Sequence, residues 1–224
     1  MDLWESSRAL ATDPWVTPTF LDGVVSMGSD YGPSISADSL ELYFASLRGG
    51  GPGSFDLWVA TRSDPGVAWE AVALVSGVNS ASNDLDPSIS ADELELYFHS
   101  NRPGGMGSND LWVATRASVD TAWDAPTLAG GLNTSSSDCC PALSADGLAL
   151  YFASNRPGGA GGDDLWVATR PSPGAAWGAP AALVDLNTAD AETGPSISGD
   201  NCGVYFASNR NVAAGNLNVW RGDR

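Results

Sequence analysis

A period of 54 residues constrains this chain more than any other feature. At that shift Trp4, Trp58, Trp112, Trp166 and Trp220 superpose, as do Trp15, Trp69, Trp123 and Trp177, which accounts for all nine tryptophans. Tyr43, Tyr97, Tyr151 and Tyr205 fall into register too, each followed by phenylalanine. Arginine forms one column at Arg48, Arg102, Arg156 and Arg210 and another at Arg8, Arg62, Arg116, Arg170 and Arg224, leaving Arg221 outside. A unit this short cannot bury its own apolar faces, so neighbouring copies must stack.

One unit reads Pro-Ser-Ile-Ser-Ala from Pro87, a turn at Asp92, then Leu-Glu-Leu-Tyr-Phe-His-Ser. A glycine-rich loop at 101–109 follows, then Asp-Leu-Trp-Val-Ala-Thr-Arg from Asp110 and a last segment starting at Trp123. This predicts four strands. The first opens with proline, which suits a sheet edge. The second and third are almost continuously apolar and must be covered on both faces. No segment holds helical spacing long enough for a helix. An open solenoid would need polar capping repeats at its ends, and neither end reads as one.

The expected fold is therefore all-β: a small β-propeller with four blades of four antiparallel strands, in one domain spanning residues 1–224. The repeats run approximately over 30–83, 84–137, 138–191 and 192–224, with residues 1–29 as a closing segment. The chain begins and ends on a third strand, so the last blade lacks an outer strand. Donating residues near Trp15 to that blade would close the ring and protect both edges. A segment cut from a longer ring is the alternative.

Composition limits the partners. The formal charge is −17 and all ten basic residues are arginine, so the surface should repel nucleic acid and anionic membranes. A hydrophobic content of 43% excludes wholesale disorder, and no apolar run approaches the roughly 20 residues of a membrane span. Met1 leads straight into the repeat, which implies either a cytoplasmic protein or a removed leader. Three cysteines, two of them adjacent, make no disulfide framework.

Pro-Ser-Ile-Ser-Ala-Asp, Leu-Tyr-Phe-Ala-Ser-Asn-Arg and Asp-Leu-Trp-Val-Ala-Thr-Arg resemble the WD-repeat-like propeller repeats of TolB-type proteins, and the likeness covers nearly the whole chain. The resemblance implies a bacterial, extracytoplasmic (periplasmic or secreted) protein that serves as an interaction or ligand-binding scaffold.

Function must then be argued from residues at a common mouth or residues that break the repeat. Asp30, Asp84, Asp138 and Glu192 stand three residues ahead of each strand-opening proline, on one predicted face. Converging carboxylates there could hold a hard cation such as calcium. They could equally cap turns or pair with a neighbouring blade's arginine. Asp84, Asp86 and Asp138, with Arg102 and Arg156, are the candidate ligand-binding residues. The arginines could clasp a carboxylate or a glycan, or lock the glycine-rich loops by pairing with Asp56, Asp110 and Asp164. Those loops precede strands instead of helices and so are turns, not phosphate cradles.

His99 replaces an alanine found at Ala45, Ala153 and Ala207, and reads as an added ligand or base or as a hydrogen-bonded core histidine. Cys139 and Cys140 stand beside Asp138, where they could bind a soft metal, form a vicinal disulfide, or be incidental. Cys202 takes a leucine's place and reads as a core hydrophobe. No catalytic residue is assigned. These observations lead to a non-catalytic, monomeric module that binds a protein, peptide or glycan through its acidic face, with calcium as the candidate ion. A hydrolase or lyase using the mouth carboxylates, or a purely structural scaffold, are the alternatives, and loss of activity or binding in Asp84→Ala with folding intact would separate a mouth-centred function from a structural role.

Overall fold

The computed structural model describes residues 2–8, 10, 12–210 and 216–223. It is an all-β, four-bladed propeller. Blade one comprises β3 (Asp30–Ile35), β4 (Glu41–Ser46), β5 (Asp56–Thr61) and β6 (Ala71–Leu74). Blade two follows with β7 (Asp84–Ile89), β8 (Glu95–Ser100), β9 (Asp110–Thr115) and β10 (Thr127–Leu128). Blade three has β11 (Asp138–Leu143), β12 (Ala149–Ser154), β13 (Asp164–Thr169) and β14 (Ala181–Ala182). Blade four has β15 (Glu192–Ile197), β16 (Gly203–Ser208) and β17 (Asn218–Asp223), and residues ahead of blade one form β1 (Trp4–Glu5) and β2 (Thr19–Phe20). Each blade is an antiparallel meander, four-stranded in blades one to three and three-stranded in blade four.

The Tyr-Phe pair on each second strand explains how blades stack. Adjacent strand residues point to opposite sheet faces. Tyr43 packs forward in the cluster of Leu57, Val75 and Val78 against Leu96, Phe98 and Ala114 of blade two. Phe44 packs backward with Leu42 and Ala60. The same exchange recurs where Tyr97, Leu111 and Leu132 meet Leu150, Phe152 and Ala168. Each such aromatic, fully buried, contributes about 1.5–3 kcal/mol. Arginines of the third strands add ion pairs across blades: Arg170 Nη2 lies 2.5 Å from Glu95 Oε2, and Arg116 Nη2 lies 3.8 Å from Glu41 Oε2.

The N-terminal segment departs from the expected ring closure. Among the described residues β1 pairs with β2 and with no strand of blade four. Leu3, Leu21 and Val24 pack on Leu42, Phe44 and Ala60, the role that Leu57, Val75 and Val78 play toward blade two. The physical reason lies in the sequence of the segment. It carries a third strand, and blade four already has one in β17, so the ribbon behaves as the outer half of a blade preceding blade one. Arg8 over the Trp15 ring at 4.5 Å repeats the stacking of Arg62 over Trp69 at 4.2 Å.

The first strands of all four blades enclose a central cavity of about 570 Å³. Among the described residues no helix is long and apolar enough to cross a membrane.

Candidate functional site

Each first strand carries a β-bulge one or two residues after its opening acid. In blade two the pairing slips between Leu85 and Ser88, and in blade three between Cys139 and Ala142. The bulge forces one residue per blade to positive φ: Gly32 at 55°, Asp86 at 49°, Cys140 at 56° and Gly194 at 58°. Glycine is the residue this conformation favours, and a side chain there costs roughly 1–2 kcal/mol. Blades two and three nevertheless carry Asp86 and Cys140, and both line the central cavity. Strain of this kind concentrates at functional positions.

His99 completes the group. It lies on β8 opposite Leu85, with only 7% of its surface exposed. Its Nδ1 is 3.4 Å from Asp86 Oδ2 and accepts the Cys140 backbone N–H at 3.3 Å. Ligand-type atoms of Asp86, His99 and Cys140 all fall within 4.8 Å of one another. Burial lowers the imidazole pKa, opposed by the charges of Asp86 and Asp84, which favours the neutral ring at pH 7. The Cys140 thiol points its proton at Cys139 Sγ, 3.2 Å away, and lies 3.6 Å from Thr193 Oγ1 of blade four. That bond to Cys139, then burial, pushes the thiol pKa well up.

The acid column takes a different place from the one expected. Asp30, Asp84, Asp138 and Glu192 are buried at the starts of their first strands, and none lines the cavity. Each is tied to its own blade's arginine: Arg48 to Asp30 at 3.1 Å, Arg102 to Asp84 at 2.6 Å, Arg156 to Asp138 at 2.6 Å and Arg210 to Glu192 at 3.0 Å. Asp84 also accepts the Ser80 backbone N–H at 2.7 Å, and Asp138 accepts that of Thr134 at 2.7 Å. The expected calcium ring is thereby corrected, because each carboxylate's lone pairs are already used inside its blade. The arginine assignment is corrected with it. Register places Ser100 opposite Asp84, and Arg102 two residues on reaches back to that acid. Asp56, Asp110 and Asp164 instead accept loop N–H groups at Gly53, Gly107 and Gly161. Of the residues proposed for ligand binding, Asp86 alone lines the cavity, and Asp84, Asp138, Arg102 and Arg156 form buried pairs away from it. Cys202 is exposed in a turn instead of sitting in the core.

Sequence reasoning singled out Asp86, His99, Cys139 and Cys140 separately but did not bring them together. The bulge does so, and its trace was the column Gly32, Asp86, Cys140, Gly194.

No family model matches the sequence, and no curated protein does either. Solved structures do resemble it. TolB from Acinetobacter baumannii superposes with a TM-score of 0.59 at 14% identity, over 92% of this chain and 43% of that one. The chain has a TolB-like propeller fold. The α-L-arabinofuranosidase from Lactobacillus brevis superposes at 0.64 and 11% identity over 92% of this chain and 78% of that one. A thermostable family-43 glycoside hydrolase gives 0.60 at 12% identity, covering 87% and 71%. The chain thus spans less than half the length of the Acinetobacter TolB structure. The expectation of a non-catalytic module is corrected to this extent, that the same architecture recurs in solved glycoside hydrolases.

Proposed function

We propose that the protein is a hydrolase working in its central cavity, with Asp86, His99 and Cys140 as the reacting centre. One observation carries this. Three chemically active side chains replace the repeat's own glycine and alanine at matching positions, and they converge within 4.8 Å at the cavity. A residue that recurs in every blade is explained by the blade; these do not recur.

Asp86, whose side chain is 30% exposed, is the acid that lines the cavity among the described residues. It accepts the proton of a water held there while the water oxygen adds to the substrate's carbonyl carbon. The bond to the leaving group then breaks and the proton passes to that group. Glycosidic hydrolysis in its usual form needs two carboxylates flanking the bond, about 5–9.5 Å apart. A single cavity carboxylate beside a neutral imidazole therefore favours an ester or amide. A net charge of −17 disfavours an anionic substrate. The resemblance to TolB-type repeats supports an extracytoplasmic place of action.

The test is turnover of neutral and cationic chromogenic esters, amides and glycosides by the parent protein and by Asp86→Asn and His99→Ala. Ester or amide turnover lost in both variants is the expected result. No turnover of any class, or turnover indifferent to both substitutions, would sink the reading.

A further inference from the structure

We propose that Asp86, His99 and Cys140 form a binding site for a borderline-soft divalent cation, zinc above all, that joins blade two to blade three and leaves one coordination position open to the central cavity. The site goes beyond the hydrolase reading, and an ion held there would occupy the Asp86 carboxylate that serves as base in the ion-free centre.

Three observations support it. The donor set mixes carboxylate oxygen, imidazole nitrogen and sulfur, the combination zinc takes, and three protein ligands with a vacant fourth position is the pattern of a reactive rather than a closed zinc site. The atoms already lie within 4.8 Å of one another, so little movement is needed to enclose an ion. The third observation is the closeness of His99 Nδ1 to the Asp86 carboxylate. His99 Nδ1 accepts the Cys140 N–H, so the ring proton sits on Nε2 and Nδ1 carries a lone pair. Asp86 Oδ2, also an acceptor, lies only 3.4 Å from that nitrogen. A cation bonded to Nδ1 would take over the lone pair that now accepts the Cys140 N–H and would draw the Asp86 oxygen into the same coordination shell.

Binding would deprotonate the Cys140 thiol, so that a sulfur–metal bond forms and one proton leaves to solvent. Cys139 places a second thiol 3.2 Å from that of Cys140. Asp86 and Cys140 face the cavity while His99 is buried behind them, which aims the open position at the cavity.

The repeat itself supplies variants that should fold. His99→Ala restores the residue of Ala45, Ala153 and Ala207, and Cys140→Gly restores that of Gly32 and Gly194 while relieving a positive φ. The experiment is zinc and cobalt titration of reduced, chelator-treated protein, read by bound metal, by cobalt absorption and by thermal melting. One metal per chain is expected, with the near-ultraviolet band of a cobalt–thiolate bond. At a hundredfold excess over Kd the melting midpoint should rise by roughly 5–10 °C. His99→Ala and Cys140→Gly should each lose the band and the shift, and Cys202→Ser, an exposed thiol, should keep both. Absence of stoichiometric metal, or a band that survives Cys140→Gly, would overturn the site. Metal that binds as described without any hydrolysis defeats the hydrolase reading alone. Hydrolysis that persists after the metal is removed does not rescue the site if titration shows none.

Discussion

Replacing Asp84 by alanine should unfold the protein at lower temperature before it says anything about function. The carboxylate has no exposed surface, accepts Arg102 Nη2 at 2.6 Å, and accepts the Ser80 N–H and hydroxyl at 2.7 and 3.0 Å on its second oxygen. Removing it strands a guanidinium whose side chain is 10% exposed. Breaking a buried pair from one side costs about 3–5 kcal/mol. Arg102 keeps the Val78 carbonyl at 2.9 Å and its stacking over Phe98 and Trp112, which places the cost toward the lower end, about 3–4 kcal/mol. For a chain of this size that is a fall of roughly 6–16 °C in melting midpoint. The assay is calorimetric melting of Asp84→Ala, Arg102→Met and the double variant. The double variant should recover part of the loss, because no charge is then left buried alone. The pairs also predict a ranking: Asp30→Ala, with a longer contact to an arginine 16% exposed, should cost less than Asp138→Ala, whose arginine is 8% exposed. An Asp84→Ala protein melting within about 2–4 °C of the parent, or about 1 kcal/mol, while losing activity would refute the structural role and return the acid to the functional site.

The blade interface between Tyr97 and Arg170 should give an alkaline limit: burial raises the Tyr97 phenol from 10.0 to about 12, so its contribution is intact below pH 10 and disappears as pH rises through about 12. Tyr97→Phe, which removes the acceptor of the Trp177 indole N–H, should flatten that limb in a series of melts. Gly107→Ala should cost about 1–3 kcal/mol or more, since its new methyl would lie 1.8 Å from the Ser136 carbonyl oxygen, whereas Gly130→Ala meets nothing within 4 Å and should leave the midpoint unchanged. Chemical denaturation of the two variants side by side decides this.

Much of the fold was legible because its causes are local. The Tyr-Phe pairs dictate a strand covered on both faces, and the tryptophan columns dictate the stacking. The acid and arginine columns were legible as columns but not as pairs. Arg102 is nearer to Asp110 in sequence than to Asp84, and only strand register brings Ser100 opposite Asp84. The N-terminal ribbon was misplaced for a related reason: a sequence shows that a third strand is duplicated, but its apolar face at Leu3, Leu21 and Val24 chooses the neighbour.

Four blades under one architectural demand act as four trials of the same position, so a residue kept in all of them answers to packing. At the bulge the demand is for a positive φ, and Gly32 and Gly194 meet it at no steric cost. Asp86 and Cys140 meet it at a cost of at most about 1–2 kcal/mol each, and both line the cavity. His99 likewise brings a polar ring into a place that alanine fills in the other blades, and its nearest polar partners are the two residues that carry the strain. Positive φ alone does not set them apart, since Ser39, Glu93 and Asn201 also adopt it in the turns after their first strands; what does is that a third departure from the repeat, His99, meets Asp86 and Cys140 at one point, as a binding or reacting centre requires.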